Sequence, residues 1–125
     1  MDKVLTFKQG RVPLLISMPH AGLKLTPAVK AGLIPEAQSL PDTDWHIPQL
    51  YDFAADLGAS TLAAEYSRFV IDLNRPEDDA PMYVGATTGL FPATLFDGVP
   101  LFREGQVPSA AERATYLEHI WKPYH

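Results

Sequence analysis

Val12-Pro13-Leu14-Leu15-Ile16-Ser17-Met18 is a short apolar run that stops abruptly at Pro19-His20-Ala21-Gly22. Large apolar side chains fall on both parities of the run, with no charge among them. Such a pattern predicts a strand buried on both faces, as in the middle of an α/β sheet. Pro13 has no N–H to give to a ladder, so it belongs on the first residue or at an edge. Beyond Gly22, the stretch 23–40 holds Pro27, Gly32 and Pro35 and supports only a short helical turn or loop. A helix is predicted over 46–57. Leu50, Phe53, Ala54 and Leu57 are spaced i, i+3, i+4, i+7, with Asp44 as a cap, Pro48 in the first turn and Gly58 as C′.

Ser60–Glu65 and Phe69–Leu73 are β-prone and flank Tyr66-Ser67-Arg68, so they read as two strands or as one strand and a sharp bend. Residues 74–88 lack periodicity and carry Glu77-Asp78-Asp79, the composition of a solvated loop. Leu90 to Phe102 is apolar but broken by prolines, and Asp97-Gly98 predicts a hairpin turn. Ser109-Ala110-Ala111-Glu112 is a capping box that opens a helix over about 109–122. Its stripe is Leu117, Ile120, Trp121 and Tyr124, and Pro123 should disturb its last turn. The expected fold is α/β: a mixed or mainly parallel sheet containing 12–18 and 69–73, flanked by the two helices.

The chain has 125 residues, enough for one domain. Its 46% hydrophobic and 20% charged content excludes intrinsic disorder. No apolar run approaches the roughly 18 residues of a membrane span. A net charge of -5 with a pI near 5.2 excludes a nucleic-acid or anionic-membrane surface. The absence of cysteine removes disulfides, thiolate metal cages and thiol nucleophiles, and fits the cytoplasm. The stripe of the last helix runs up to His125 with no cap or polar tail. It is expected to be covered by something, which predicts self-association through that helix.

Three places carry candidate chemistry. His20 stands at the C-terminal end of a predicted strand, where open α/β sheets gather ligand sites. An imidazole there is a good zinc ligand, although a histidine that merely hydrogen-bonds in a tight turn is commoner. Asp42 and Asp44 are one residue apart before a helix. Either they serve as caps, or one of them adds an oxygen ligand to a metal held by His20. Alternate residues on an extended stretch point opposite ways, so one of the pair would serve. The third place is Tyr66 to Arg75, whose ending Asp72-Leu73-Asn74-Arg75 delivers an amide and a guanidinium to a sheet edge. Guanidinium suits bidentate carboxylate recognition. An internal pair of Asp72 with Arg68 or Arg75 accounts for the same residues without a ligand.

Taken in order, Pro19-His20-Ala21-Gly22, Asp42-Thr43-Asp44-Trp45 and Ser67-Arg68-Phe69-Val70-Ile71-Asp72-Leu73-Asn74-Arg75 resemble the N-formylglutamate amidohydrolase (N-formylglutamate deformylase) family. The likeness runs from Val12 through Arg75, continues through Gly89-Leu90-Phe91-Pro92 and ends with Trp121-Lys122-Pro123-Tyr124-His125. It implies an α/β architecture of the zinc-peptidase (phosphorylase/hydrolase-like) type. It also implies hydrolysis of N-formyl-L-glutamate to formate and L-glutamate, within histidine degradation. One zinc ion, or another divalent metal in its place, is implied, with His20 as a ligand and Asp44, before Asp42, as a second. Arg75, Asn74 and Arg68 are implied to bind the substrate carboxylates. His119 and His125 lie outside the matching ligand motif. Chains of this family are far longer, so residues 1–125 are expected to be the N-terminal portion of a single amidohydrolase domain. The remaining ligand and the catalytic carboxylate are then expected in a C-terminal half, and 1–125 alone should be weak or inactive. Two rivals remain at this level: an amidohydrolase of the same family acting on another N-acyl amino acid, and a non-catalytic α/β module.

Overall fold

The computed structural model describes residues 2–79 and 89–125. Three short strands, β1 (Leu5–Lys8), β2 (Leu15–Met18) and β3 (Ser60–Ala64), form one sheet in the order β1-β3-β2. β3 runs antiparallel to β1, with Phe7 opposite Leu62, and parallel to β2, with Ser17 opposite Leu62. The sheet is therefore mixed. A parallel pair needs a crossover, and here it comprises α1 (Pro27–Gly32), a 3₁₀ turn at Pro35–Ala37, α2 (Ile47–Leu50) and α3 (Phe53–Asp56). α1 starts where the sequence allows: the Thr26 hydroxyl accepts from the Val29 N–H and Pro27 takes the first turn. After the hairpin come α4 (Ala110–Tyr116), a π turn over Leu117–Trp121 and α5 (Lys122–Tyr124). Among the described residues, no helix is long and apolar enough to cross a membrane.

The capping box forms as predicted. Ser109 and Glu112 each bond the other's backbone N–H. The hairpin also forms, with Thr94 bridging Pro100 and Gly98 at φ 86, a left-handed conformation that glycine adopts without strain. The core lies between one face of the sheet, α1, the last helix and the chain over 66–73 and 90–102.

Four expectations need correction. The run 12–18 yields a strand only over Leu15–Met18. It is an edge strand, with Leu14 52% and Leu15 55% exposed, rather than one buried on both faces. Pro13 stops the ladder on one side, and β3 is the sole partner among the described residues. Residues 69–73 are deeply buried but are not a strand. The Ser67 hydroxyl accepts from the Phe69 N–H and the Ser67 carbonyl from Val70, so the chain turns instead of extending. The helix over 46–57 is two short pieces, and of its stripe only Ala54 is buried, with Leu50 64% and Leu57 61% exposed. Lastly, the stripe of the final helix is covered from within. Ile120 and Tyr124 are buried and Leu117 and Trp121 pack against the same core. Packing within the chain therefore accounts for that stripe without a partner. The loop expected over 74–88 lies partly, at 80–88, outside the described residues. Within its acidic cluster, Asp79 accepts from the Leu90 N–H at 2.6 Å.

Candidate active site

Pro19 and His20 form the turn that ends β2. Gly22 then passes so close to the chain beyond β3 that a Cβ there would sit 2.2 Å from the Tyr66 carbonyl oxygen. No larger residue fits without moving backbone. The approach lets the N–H groups of Leu23 and Lys24 both donate to the Glu65 carbonyl, at 3.1 and 2.9 Å. The glycine of the Pro-His-Ala-Gly motif thus pins the His20 turn against the segment that carries Ser67 to Arg75.

That segment is knotted around Asp72, whose side chain is fully buried. Its Oδ1 accepts from His20 Nε2 at 2.6 Å and from the Asn74 N–H at 2.9 Å. Its Oδ2 lies 3.2 Å from Arg68 Nη2 and 4.0 Å from Arg75 Nη1. Burial alone would push this carboxyl up. The hydrogen bond and charge of His20, the Asn74 N–H and the Arg68 guanidinium together outweigh it and hold the carboxyl below the usual aspartate value. An ionised carboxylate only accepts, so Nε2 of His20 carries the proton it donates. Nδ1, the other ring nitrogen, faces Asp44, with Oδ2 at 3.8 Å. The Asp44 N–H in turn donates to the His20 carbonyl at 3.0 Å, which ties the two motifs together through backbone.

Asp42 is placed differently. Its carboxylate accepts from the Phe96 N–H at 3.1 Å and its carbonyl from Arg68 at 3.4 Å, so it joins the hairpin to the Arg68 side chain. The Arg68 guanidinium also lies 4.7 Å from the centre of the Phe96 ring. Arg75 donates from Nη1 to the Asn74 carbonyl at 3.0 Å. Arg75 and Asn74 line a cavity of about 370 Å³ together with Leu73, Pro76, Trp121 and His125. His20, Asp44, Arg68 and Arg75 therefore converge, whereas Asp42 is committed to the hairpin.

This donor set fits a zinc ion in part. Two ligands of one zinc with bonds of ~2 Å lie within about 4 Å of each other, and His20 Nδ1 and Asp44 Oδ2 are 3.8 Å apart. A metal-bound histidine commonly donates its other ring N–H to a carboxylate, a role Asp72 would fill if His20 held a metal. Among the described residues, no group of three His, Cys, Asp or Glu side chains gathers as a metal-binding set.

A family model described as N-formylglutamate amidohydrolase matches residues 12–125. The chain belongs to the N-formylglutamate amidohydrolase family. Its relatives include the N-formylglutamate deformylase of Pseudomonas putida, 76% identical over 125 residues, and that of Pseudomonas aeruginosa, 71% identical. Each alignment takes in 100% of this chain and 47% of the relative, so the chain spans about half the length of the curated relatives it matches. A crystal structure of N-formylglutamate amidohydrolase from Ralstonia eutropha shares the fold with a TM-score of 0.78 at 22% identity, covering 98% of this chain and 48% of that one. A gene product of Agrobacterium tumefaciens does so with a TM-score of 0.72 at 21% identity, over 98% of this chain and 47% of its own.

In this member of the N-formylglutamate amidohydrolase family, Asp72 is the residue that sequence reasoning underweighted. It appeared only as a partner in an ion pair, yet it touches His20, Arg68 and the Asn74 backbone at once. The signal was present: it is the one charge inside Phe69-Val70-Ile71-Asp72-Leu73. A charge embedded in an apolar string is buried only when it is paired.

Proposed function

We propose that this chain supplies the N-terminal portion of a zinc-dependent amide hydrolase that converts N-formyl-L-glutamate and water to formate and L-glutamate, in histidine degradation. The observation that carries the reading is the convergence of His20, Asp44, Arg68 and Arg75 around the buried carboxylate of Asp72, in a chain of this family. His20 Nδ1 and Asp44 would hold the zinc, with Asp42 next in line. When bound, zinc polarises a carbonyl oxygen and lowers the pKa of water. Arg75 and Asn74 take a substrate carboxylate, and Arg68 adds positive potential behind them. Fixing the dicarboxylate in this way aims its formyl group at the His20 side of the site. A neutral analogue leaves buried guanidinium without its anion and is rejected.

Equilibrium dialysis against zinc, with calorimetric titration of N-formyl-, N-acetyl- and N-succinyl-L-glutamate, tests this. His20→Ala should abolish zinc binding. Arg75→Lys should keep the zinc and weaken N-formyl-L-glutamate, since an ammonium cannot replace the planar fork. Zinc retained at the wild-type level by His20→Ala would sink the metal assignment. Tighter binding of another acyl group than of formyl would sink the substrate.

A further inference from the structure

Phe96 is the second residue of the turn Leu95-Phe96-Asp97-Gly98, which closes as the Gly98 N–H donates to the Leu95 carbonyl at 2.9 Å. The base of the hairpin is fixed: Leu95 and Leu101 are buried, and the Leu101 carbonyl accepts from the Ile34 N–H at 3.0 Å. The Phe96 ring is 60% exposed, so the core does not hold it in place. Its backbone N–H donates to Asp42 Oδ2 at 3.1 Å, and its ring centre lies 4.7 Å from the Arg68 guanidinium carbon. An aromatic face attracts a cation more strongly as the cation loses water, and Arg68 is buried. Asp42 meets the same cation, its carbonyl accepting from Arg68 Nη1 at 3.4 Å while its carboxylate holds Phe96. Arg68 Nη2 then donates to Asp72 Oδ2 at 3.2 Å, and His20 Nε2 donates to Asp72 Oδ1 at 2.6 Å. A carboxylate bonded at both oxygens cannot turn about its Cβ–Cγ bond without breaking one of those bonds. With Oδ2 tied to a fixed guanidinium, Oδ1 stays aimed at His20, and Nδ1 of that ring faces Asp44.

We propose that Phe96 and Asp42 are positioning residues: the hairpin tip covers Arg68 and locks it onto Asp72, which fixes the direction in which His20 presents Nδ1. The proposal rests on the function proposed above, in which Nδ1 holds the zinc. A hairpin serving only as a connection sets no requirement on the side chain at 96. An Asp42 that was itself a ligand would turn its carboxylate toward His20, whereas here it accepts from the Phe96 N–H. What distinguishes positioning from packing is the π face at 96 and the acceptor at 42.

The test reads solvent exchange of the His20 Nε2–H and Arg68 guanidinium protons in the ¹⁵N-labelled, zinc-free chain, and separately the zinc affinity by equilibrium dialysis. Phe96→Leu keeps apolar bulk at an exposed position and removes the π face. It should speed exchange at both groups and weaken zinc by about two- to fivefold, the worth of one cation–π contact. Phe96→Tyr returns a π face and should reverse both effects. Asp42→Ala frees the hairpin tip by a second route and should act in the same direction. Asp42→Asn keeps an oxygen for the Phe96 N–H and should recover most of what Asp42→Ala loses. Exchange unchanged in both Phe96→Leu and Asp42→Ala would overturn the proposal, whatever zinc does. Zinc lost as completely in Asp42→Asn as in Asp42→Ala, with exchange recovered, would make that carboxylate a ligand and overturn its positioning role. Faster exchange in the variants of a chain that takes up no zinc would overturn the metal reading and leave the positioning of His20 supported.

Discussion

Asp72 is a carboxylate with no exposed side-chain surface. Its ionisation survives burial because His20, Arg68 and the Asn74 N–H surround it. Take the carboxylate away and two arginine side chains, at 8% and 9% exposed, lose the anion they face. Breaking a buried pair from one side costs about 3–5 kcal/mol, because the remaining charge stays desolvated. We predict a loss of that order for Asp72→Ala in urea denaturation. A loss below about 1 kcal/mol, the range of an exposed ion pair, would show that the network is better solvated than its burial implies. The residue scale also separates the two neighbouring aspartates. Their spacing left open which of the two would serve as a ligand; in the structure Asp42 accepts from the Phe96 N–H, whereas Asp44 Oδ2 lies 3.8 Å from His20 Nδ1.

Tyr124 couples the last helix to the sheet. Its hydroxyl donates to the Leu62 carbonyl at 3.2 Å and lies 2.7 Å from the Ser17 hydroxyl. Burial pushes its phenol pKa up, against the opposing bonds from Ser17 and the Met18 backbone. A phenol whose folded pKa is raised contributes stability that is fully present below its unfolded value of about 10 and is lost as pH rises through the higher folded value. The fold should therefore weaken from about pH 10 upward. Tyr124→Phe should flatten part of that decline, and Tyr66, raised mainly by burial, should leave a remainder. Denaturant midpoints taken from pH 8 to 11 decide it: an equally steep decline in Tyr124→Phe would place the alkaline sensitivity elsewhere. At this scale the sequence was informative about how elements start and poor on how far they run. The capping box and Asp97-Gly98 act within a few residues of themselves. The helix expected over 46–57 is two short pieces, with Ala54 buried and Leu50, Phe53 and Leu57 exposed.

The whole molecule leaves apolar surface uncovered. Phe7 and Leu15 share a sheet face with Leu62, yet both are exposed, as are Leu50, Phe53 and Leu57. The chain also spans about half the length of its curated relatives, and its described residues bring two zinc-ligand candidates together rather than three. Loss of even an outer partner of a metal ligand costs about 10–100-fold in affinity or activity, and loss of a direct ligand costs at least as much. With zinc added, residues 1–125 should release formate from N-formyl-L-glutamate at least about tenfold more slowly than the full-length Pseudomonas putida relative. Comparable turnover would show that these 125 residues complete a site by themselves.

By itself the sequence determined the family, the α/β character, the capped final helix and the placing of His20 just beyond a strand. Each of these is written in residues within a few positions of one another. A motif, a cap or a turn is local chemistry that survives whatever the rest of the chain does. Tertiary structure alone decided that 69–73 is a buried turn rather than a strand, that Asp72 is the hub of the site, and that Asp42 and Phe96 meet at Arg68. His20 and Asp72 are 52 residues apart, and Asp42 and Phe96 are 54 apart. A buried charge is tolerable only if its partners arrive, and a backbone carbonyl is held only if a donor is brought to it. Both depend on how distant segments pack, which no short stretch of sequence encodes.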